Sequence, residues 1–198
     1  VPADPSKVVG SVAIGNNTFA RTGSTMIGSH NYRGAIGDTT IDTDNNGTRG
    51  ASLNVYATTV GANSFSNGAF TTTTGTYNVI SSSYTGGRFS TPTQNFGATV
   101  NGAFNSIEST SGSSTAGVAT AITGVANRVA NSNGVLVYGA GNEITNSSTS
   151  FSTPGEGATS AKDFADKLKT AVTSSNGAGA TMAFGGGNKA DYTLRTSM

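Results

Sequence analysis

The sequence predicts an all-β protein, a parallel β-solenoid of short two-strand coils, with one inserted helix near residues 160–174. The first observation behind this prediction is a unit of about 13 to 16 residues that recurs along most of the chain. The second is composition, because 28 glycines, no cysteine and only 11% charged residues accompany regularly spaced Val and Ile. Such a chain is ordered only if repetition stacks one small apolar cluster on the next.

Residues 134–147 hold the clearest copy of the unit, Gly-Val-Leu-Val-Tyr-Gly-Ala-Gly-Asn-Glu-Ile-Thr-Asn-Ser. Side chains alternate over 135–138 as on a strand, and Gly139 and Gly141 let the backbone turn a corner. A second strand begins at 142–144. We expect each strand to pair with the units before and after it, and not with the other strand of its own unit.

Further copies of the unit lie at residues 11–17, 24–31, 35–37, 57–68, 76–81, 94–102, 119–132 and 180–192. They share an apolar pair two residues apart, then Gly, a small residue and Asn, and a second strand that ends in Asn or Gly. The copy at 76–81 has Ser in place of the corner glycine. The run Thr71–Thr74 resembles an ice-binding surface, but the threonines of other copies do not align with it in the sequence.

Two polar loops, 38–50 and 81–93, interrupt the repeats. We therefore expect solenoid coils over about 8–148, a helical insertion over about 149–177 and resumed coils over 178–198. The chain lacks an initiator Met and a signal peptide, and its last two residues match the start of a unit. These ends predict a piece of a longer protein.

The insertion contains the one segment with helical periodicity. Residues 160–163 have the form of a capping box with Asp in place of Glu, and Asp163 can pair with Lys167 one turn later. The apolar residues of one predicted helix face are Phe164, Leu168 and Val172. We expect this face to pack across the end or side of the solenoid, with binding to a partner as the alternative.

Charge argues against some functions. The net charge is +1 and no basic run occurs, so the sequence predicts no binding to nucleic acid or to an anionic membrane surface. No apolar run approaches the roughly 20 residues that a membrane-spanning helix needs.

Two stretches carry a family resemblance. Ser-Val-Ala-Ile-Gly at 11–15 and Gly-Ala-Gly-Asn-Glu-Ile-Thr-Asn-Ser at 139–147 resemble the haemagglutinin-type repeats in the heads of trimeric autotransporter adhesins, the YadA-like proteins of Gram-negative bacteria. Residues 160–194 are similar to an insertion found in some of these heads. The resemblance covers most of the chain apart from the two loops.

This resemblance implies a left-handed parallel β-roll that is stable only as a homotrimer, with residues 1–198 forming a single fragment of the head. It implies a non-enzymatic function in cell adhesion and virulence, in which the outer loops attach the protein to host cells or to other bacterial cells. It also implies a surface location, with a coiled-coil stalk and an outer-membrane anchor in a missing C-terminal region. A trimeric β-solenoid segment of a phage fibre is the alternative.

Association also follows from the size of the unit. One coil buries too little apolar surface to offset the ordering of about fifteen residues, and contact between three rolls would bury a second face. We expect small side chains to allow that close approach: Ser11, Ala13, Thr59 and Ala183.

The sequence predicts no catalytic residues, no cofactor and no metal site. The single histidine, His30, adjoins Ser29, but neighbouring strand residues point to opposite sides, which makes a turn or interface position the expectation. Gly185-x-Gly187-x-x-Ala190 is a repeat corner, because no helical pattern follows it. A solenoid hydrolase would need clustered carboxylates, and the ten acids are dispersed.

The loops hold the candidate ligand-binding residues, Asp42, Asp44, Arg49, Tyr84 and Arg88. Residues 42–48 reproduce the first half of a calcium loop, but Leu53 stands where the closing Glu belongs. We expect an exposed turn there, with calcium as the alternative. Variable surface decoration is the alternative for both loops, and the sequence names no receptor.

Overall fold

A computed structural model of the protein describes residues 10–16, 18, 20, 23–31, 56–66, 68, 70–82, 94–109, 115–148, 161–174 and 181–193. In chain order the elements are β1 (Val12–Ile14), β2 (Thr25–Ser29), β3 (Thr58–Ala62), β4 (Phe65–Ser66), β5 (Thr72–Thr76), β6 (Val79–Ser82), β7 (Thr99–Ala103), β8 (Ser106–Ser109), β9 (Ala121–Val125), β10 (Arg128–Ala130), β11 (Leu136–Ala140), β12 (Glu143–Thr145), α1 (Ala161–Ser174), β13 (Met182–Gly186) and β14 (Lys189–Asp191).

The strands form two parallel sheets. Sheet A has eight strands in the order β1-β2-β3-β5-β7-β9-β11-β13, and sheet B has six in the order β14-β12-β10-β8-β6-β4. From β3 onward the chain alternates between the sheets, so a unit contributes one strand to each. In the clearest unit, β11 pairs with β9 and β13, and β12 pairs with β10 and β14. The predicted pairing between units is confirmed, and the arrangement is compatible with a β-solenoid.

The corner glycines stack in register along sheet A. They are Gly28, Gly61, Gly75, Gly102, Gly124, Gly139 and Gly185. This register corrects one prediction from the sequence, because the unit placed at 76–81 begins at Thr72 and has Gly75 as its corner. Strand β6 also continues to Ser82, into the predicted loop 81–93. The pattern of apolar pairs does not reveal the start of this unit, because β5 contains no apolar residue.

Close stacking explains why the corner requires glycine. Gly124 has φ +140°, and a Cβ atom there would lie 1.8 Å from the carbonyl oxygen of Gly139 in the next unit. An L-residue is excluded both by this backbone conformation and by the contact.

Three residues after each corner glycine, a side chain ties adjacent units together. Asn127 Nδ2 donates to the Gly139 carbonyl at 2.8 Å, and the Asn127 backbone N–H donates to Asn105 Oδ1 at 3.1 Å. The ladder consists of Asn31, Ser64, Asn78, Asn105, Asn127, Asn142 and Asn188. Its successive members lie between 14 and 46 residues apart in sequence, so insertions lengthen a unit without breaking the ladder.

The core lies between the two sheets. Its buried residues are Ile80, Ala98, Val100, Ile107, Ile122, Val129, Val135, Val137, Ile144, Ala183 and Ala190. Toward the N-terminus the inward side chains of sheet A become polar at Thr59 and Thr73, and neither hydroxyl has a hydrogen-bond partner in the described part of the chain. Each such buried, unpaired hydroxyl reduces the stability of the core at its position.

We expect Thr73→Val to raise the free energy of unfolding by about 1 kcal/mol, because it removes a buried, unpaired hydroxyl at a position where the paired strand has Val100. The matched variant is Thr71→Val, since Thr71 Oγ1 donates to the Gly68 carbonyl at 3.1 Å. Thr71→Val should lower the free energy of unfolding. Chemical denaturation followed by circular dichroism measures both variants. A destabilised Thr73→Val protein would contradict this account of the core.

Helix α1 confirms the predicted helix near residues 160–174. It begins one residue after the predicted cap, and Lys167 Nζ lies 3.0 Å from Asp163 Oδ2, the predicted pair. A second pair joins Lys162 to Asp166. The side chains of Phe164, Leu168 and Val172 lie outside the described residues, so the packing of the predicted face stays a prediction. In the described part of the chain, no helix is both long and apolar enough to cross a membrane.

Candidate association surface

The outer surface of sheet B is charged. Arg128 donates through Nη2 to Glu108 Oε2 at 2.8 Å and through Nη1 to Glu143 Oε1 at 2.9 Å. Lys189 Nζ lies 3.3 Å from Glu143 Oε2. These four residues come from adjacent strands, so acids and bases alternate along the stack and neutralise one another. The network is exposed to solvent and contributes modestly to stability.

Hydrogen bonds from Arg128, and then from Lys189, hold the pKa of the Glu143 carboxyl below its usual value. The hydroxyl of Thr145, with the amide of Asn146, lowers the pKa of Asp191 in the same way, and Thr145 Oγ1 lies 2.6 Å from Asp191 Oδ1. A carboxyl whose pKa is lower in the folded chain stabilises the fold above its unfolded pKa. That contribution is lost as the pH falls through the folded pKa.

The melting temperature of the native protein should therefore fall as the pH is lowered from about 6 to about 3. In Glu143→Gln we expect a smaller decrease over this range, because the side chain no longer binds a proton that breaks the network. Adding Asp191→Asn should reduce the decrease further. Thermal melts at a series of pH values test this, and equal slopes for native protein and Glu143→Gln would count against it.

The outer face of sheet A is apolar at both ends. From β2 onward the second residue of each strand of sheet A points into the core, and the first and third point outward, as the burial of β11 and β5 illustrates. The exposed fraction reaches 57% at Ile14, 60% at Tyr138 and 51% at Phe184. The outward direction of these residues could not be read from the sequence, because the inward residues of the same strands are apolar too.

This orientation corrects the prediction about small side chains. Thr59 and Ala183 occupy the second strand position and are buried within the chain, so they cannot form a surface for close approach. Ser11 and Ala13, in the first described unit, are exposed. From β2 onward, any association through sheet A therefore involves the first and third residues of each strand.

The strand register lines up these outward residues in two rows that cross sheet A. We call the row of first-position residues the first file and the row of third-position residues the third file. The first file is Val12, Thr25, Thr58, Thr72, Thr99, Ala121, Leu136 and Met182. The third file is Ile14, Ile27, Val60, Thr74, Asn101, Thr123, Tyr138 and Phe184. Neither file contains a charged residue.

The files correct the reading of the threonine run. Thr72 pairs with Thr58 on one side and with Thr99 on the other, so threonines of successive units do align. Together Thr72, Thr74, Thr99, Asn101 and Thr123 form a polar belt across the middle of the face. In the third file apolar residues lie on either side of this belt, and in the first file Thr58 and Thr25 extend it toward the N-terminus.

Aromatic side chains stack at the corners next to sheet A. The rings of Tyr77 and Phe104 are parallel within 10° with centroids 5.2 Å apart, and those of Tyr56 and Phe70 are 5.1 Å apart. These four residues have positive φ angles between 53° and 57°. Because the flat side of each ring is covered by its neighbour, the pairs stabilise the stack and add apolar surface beside the face.

The predicted site residues have different outcomes. His30 lies at a corner with φ 54°, as expected for a turn position, and Gly187 also lies at a corner. The residues Asp42, Asp44, Arg49, Tyr84 and Arg88 lie outside the described residues, as does the calcium-like stretch 42–48. Within the described residues, no three His, Asp or Glu side chains are grouped to hold a metal ion.

No protein-family model matches the chain, and no curated protein or solved structure is significantly similar to it.

Proposed function

We propose that the protein is the head of a non-enzymatic bacterial surface adhesin, a left-handed β-roll that works as a homotrimer and binds host or bacterial cells through its outer loops. The observation that carries the proposal is the uncharged outer face of sheet A, with apolar sections at both ends of a stack of Gly–Asn units. The resemblance of residues 11–15 and 139–147 to the heads of trimeric autotransporters agrees with it. Anchoring to the outer membrane belongs to the same proposal.

The dimensions of the face suit association of copies. Eight strands spaced about 4.8 Å apart, each about 16 Å long, give a face of roughly 550 Å². Exposed corner rings such as Phe104 extend this area toward the roughly 800 Å² per partner of a stable interface. Charged residues are concentrated on sheet B, so sheet A is the surface whose burial costs least.

The connections also support this orientation. The segments 83–93 and 149–160 follow strands β6 and β12 of sheet B, and segment 32–55 follows Asn31, at the corner that leads away from sheet A. A trimer built on the outer face of sheet A would therefore leave the starting points of all three segments outside the interface. This is where a receptor-binding loop is required.

Light scattering after size exclusion tests the assembly. The native protein should give three times the 19.7 kDa of one chain. Tyr138→Lys combined with Phe184→Lys should give the mass of one chain, because three pairs of cations would meet at the interface. The control is Tyr192→Lys, an exposed aromatic residue outside sheet A, which should remain trimeric. A native protein with the mass of one chain would refute the assembly.

Binding of the labelled native protein to host matrix proteins, glycans and bacterial cells tests the adhesive function. Replacement of residues 38–50 or 83–93 by short Gly-Ser linkers should abolish binding to the target found, with the protein still trimeric. Retained binding in both variants would contradict the assignment of the loops.

A further inference from the structure

Repetition creates a problem for association through sheet A. Neighbouring units have the same backbone conformation and follow one another at about 4.8 Å, so a copy shifted by one unit meets a face of nearly the same shape. Weakly specified registers allow such slippage. The side chains of the two files must therefore decide which register forms.

We propose that the polar belt fixes the axial register of the associated copies, which makes Asn101, Thr74 and Thr123 specificity-determining residues of the assembly. This inference rests on the proposed association of copies through sheet A. Only when the copies are aligned without a shift does every belt residue of one copy lie level with a polar residue of the next copy. The same principle applies to coiled coils, where one buried polar residue specifies register at a cost in stability.

The third file shows why a form shifted by one unit would be less stable than the aligned form. A shift of one unit brings Thr74 level with Val60 and brings Thr123 level with Tyr138. Each polar group that is desolvated against an apolar neighbour reduces the population of the shifted form by about tenfold. In the aligned form the belt residues of the copies can hydrogen-bond to one another or to shared water.

The belt side chains are available for these contacts. Among the described residues, none forms a hydrogen bond with the side chains of Thr74, Asn101 or Thr123, although Asn101 is half-buried. By contrast, Asn105, one corner later, belongs to the ladder and donates to the Gly124 carbonyl at 2.8 Å. Asn101 is thus the asparagine of sheet A that faces outward.

Because the chain has no cysteine, engineered cysteines can report the register. Ile27 and Val60 are partners one unit apart in the third file. Ile27→Cys and Val60→Cys chains are mixed, unfolded, refolded together and oxidised, and mass spectrometry of the digested protein distinguishes disulfides between like positions from disulfides between unlike positions. A mixture of Thr25→Cys and Thr58→Cys chains reports the register of the first file in the same way. The test variant is Thr74→Val/Asn101→Leu/Thr123→Val, and Thr145→Val on sheet B is the control.

The native belt should give disulfides between like positions, with unlike pairs at least about tenfold rarer. In the belt variant we expect both kinds at comparable levels, and in the control the native pattern. The proposal is overturned by a belt variant with like pairs only, by native protein with both kinds, or by a trimer without disulfides in either file. A protein with the mass of one chain refutes the proposed assembly itself, so the two failures are distinguishable.

Discussion

Gly139→Ala should lower the free energy of unfolding by at least about 4 kcal/mol, a large part of the 5–15 kcal/mol that stabilises an ordinary domain. Gly139 has φ +140°, a conformation that other residues rarely adopt. A Cβ atom at this position would lie 1.8 Å from the carbonyl oxygen of Gly185. Relief of that contact requires separation of β11 from β13, which breaks the ladder hydrogen bonds on both sides of the corner.

Gly141→Ala is the matched control, two residues away. Gly141 also has a positive φ, +65°, but the nearest atom to an added Cβ is Gly187 N at 3.9 Å. The equivalent residue of the preceding unit is Ala126, with φ 56°. We expect a loss of about 1 kcal/mol, the ordinary cost of alanine in this conformation. Denaturation at one fixed protein concentration measures both variants, and equal losses would show that stacking does not set the requirement for glycine.

The stacked units could be predicted because each corner depends on residue types that few others replace. Gly139 and Asn142 lie three apart, and the same spacing recurs in every unit from Gly28 to Asn188, with Ser64 as the single replacement. This spacing marks the unit at Gly75 and Asn78, whereas the pattern of apolar pairs places that unit too late in the chain. The helix was predictable for a similar reason, since its cap and its ion pair are local.

The face could not be predicted, because strands with apolar residues on both sides do not show which side is inside. Val137 and Tyr138 are both apolar in character, yet one is buried and the other is 60% exposed. That difference arises from the packing of sheet A on sheet B. The alignment of Thr58, Thr72 and Thr99 likewise depends on loop lengths that the sequence does not relate to register. The ligand-binding loops stay predictions.

Asn127→Asp should be the most damaging change that keeps the shape of a side chain. Asn127 is buried, and its Nδ2 donates to Gly139 O at 2.8 Å and to Asn105 Oδ1 at 2.9 Å. A carboxylate would place an oxygen opposite both acceptors and bury a charge without a partner. Loss of about 3–5 kcal/mol is the usual cost of such an uncompensated charge.

The loss should depend on pH in a defined direction. Burial among acceptors raises the pKa of the introduced carboxyl in the folded chain, so the variant is least destabilised below the unfolded pKa and loses stability as the pH rises through the folded pKa. The difference from native protein should therefore grow between about pH 4 and pH 7. Denaturation curves of both proteins over this range give the comparison.

Asn127→Ser separates the effect of charge from the effect of a lost contact. Serine occupies this position naturally at Ser64, where Oγ donates to the Gly75 carbonyl at 2.9 Å and accepts from the Asn78 N–H at 3.3 Å. The variant keeps one donor and one acceptor, so we expect a loss of about 1–2 kcal/mol that does not change with pH. If Asn127→Ser and Asn127→Asp were equally unstable at neutral pH, the ladder would depend on shape alone. A larger, pH-dependent loss in Asn127→Asp would show that the amide donors bind successive units together.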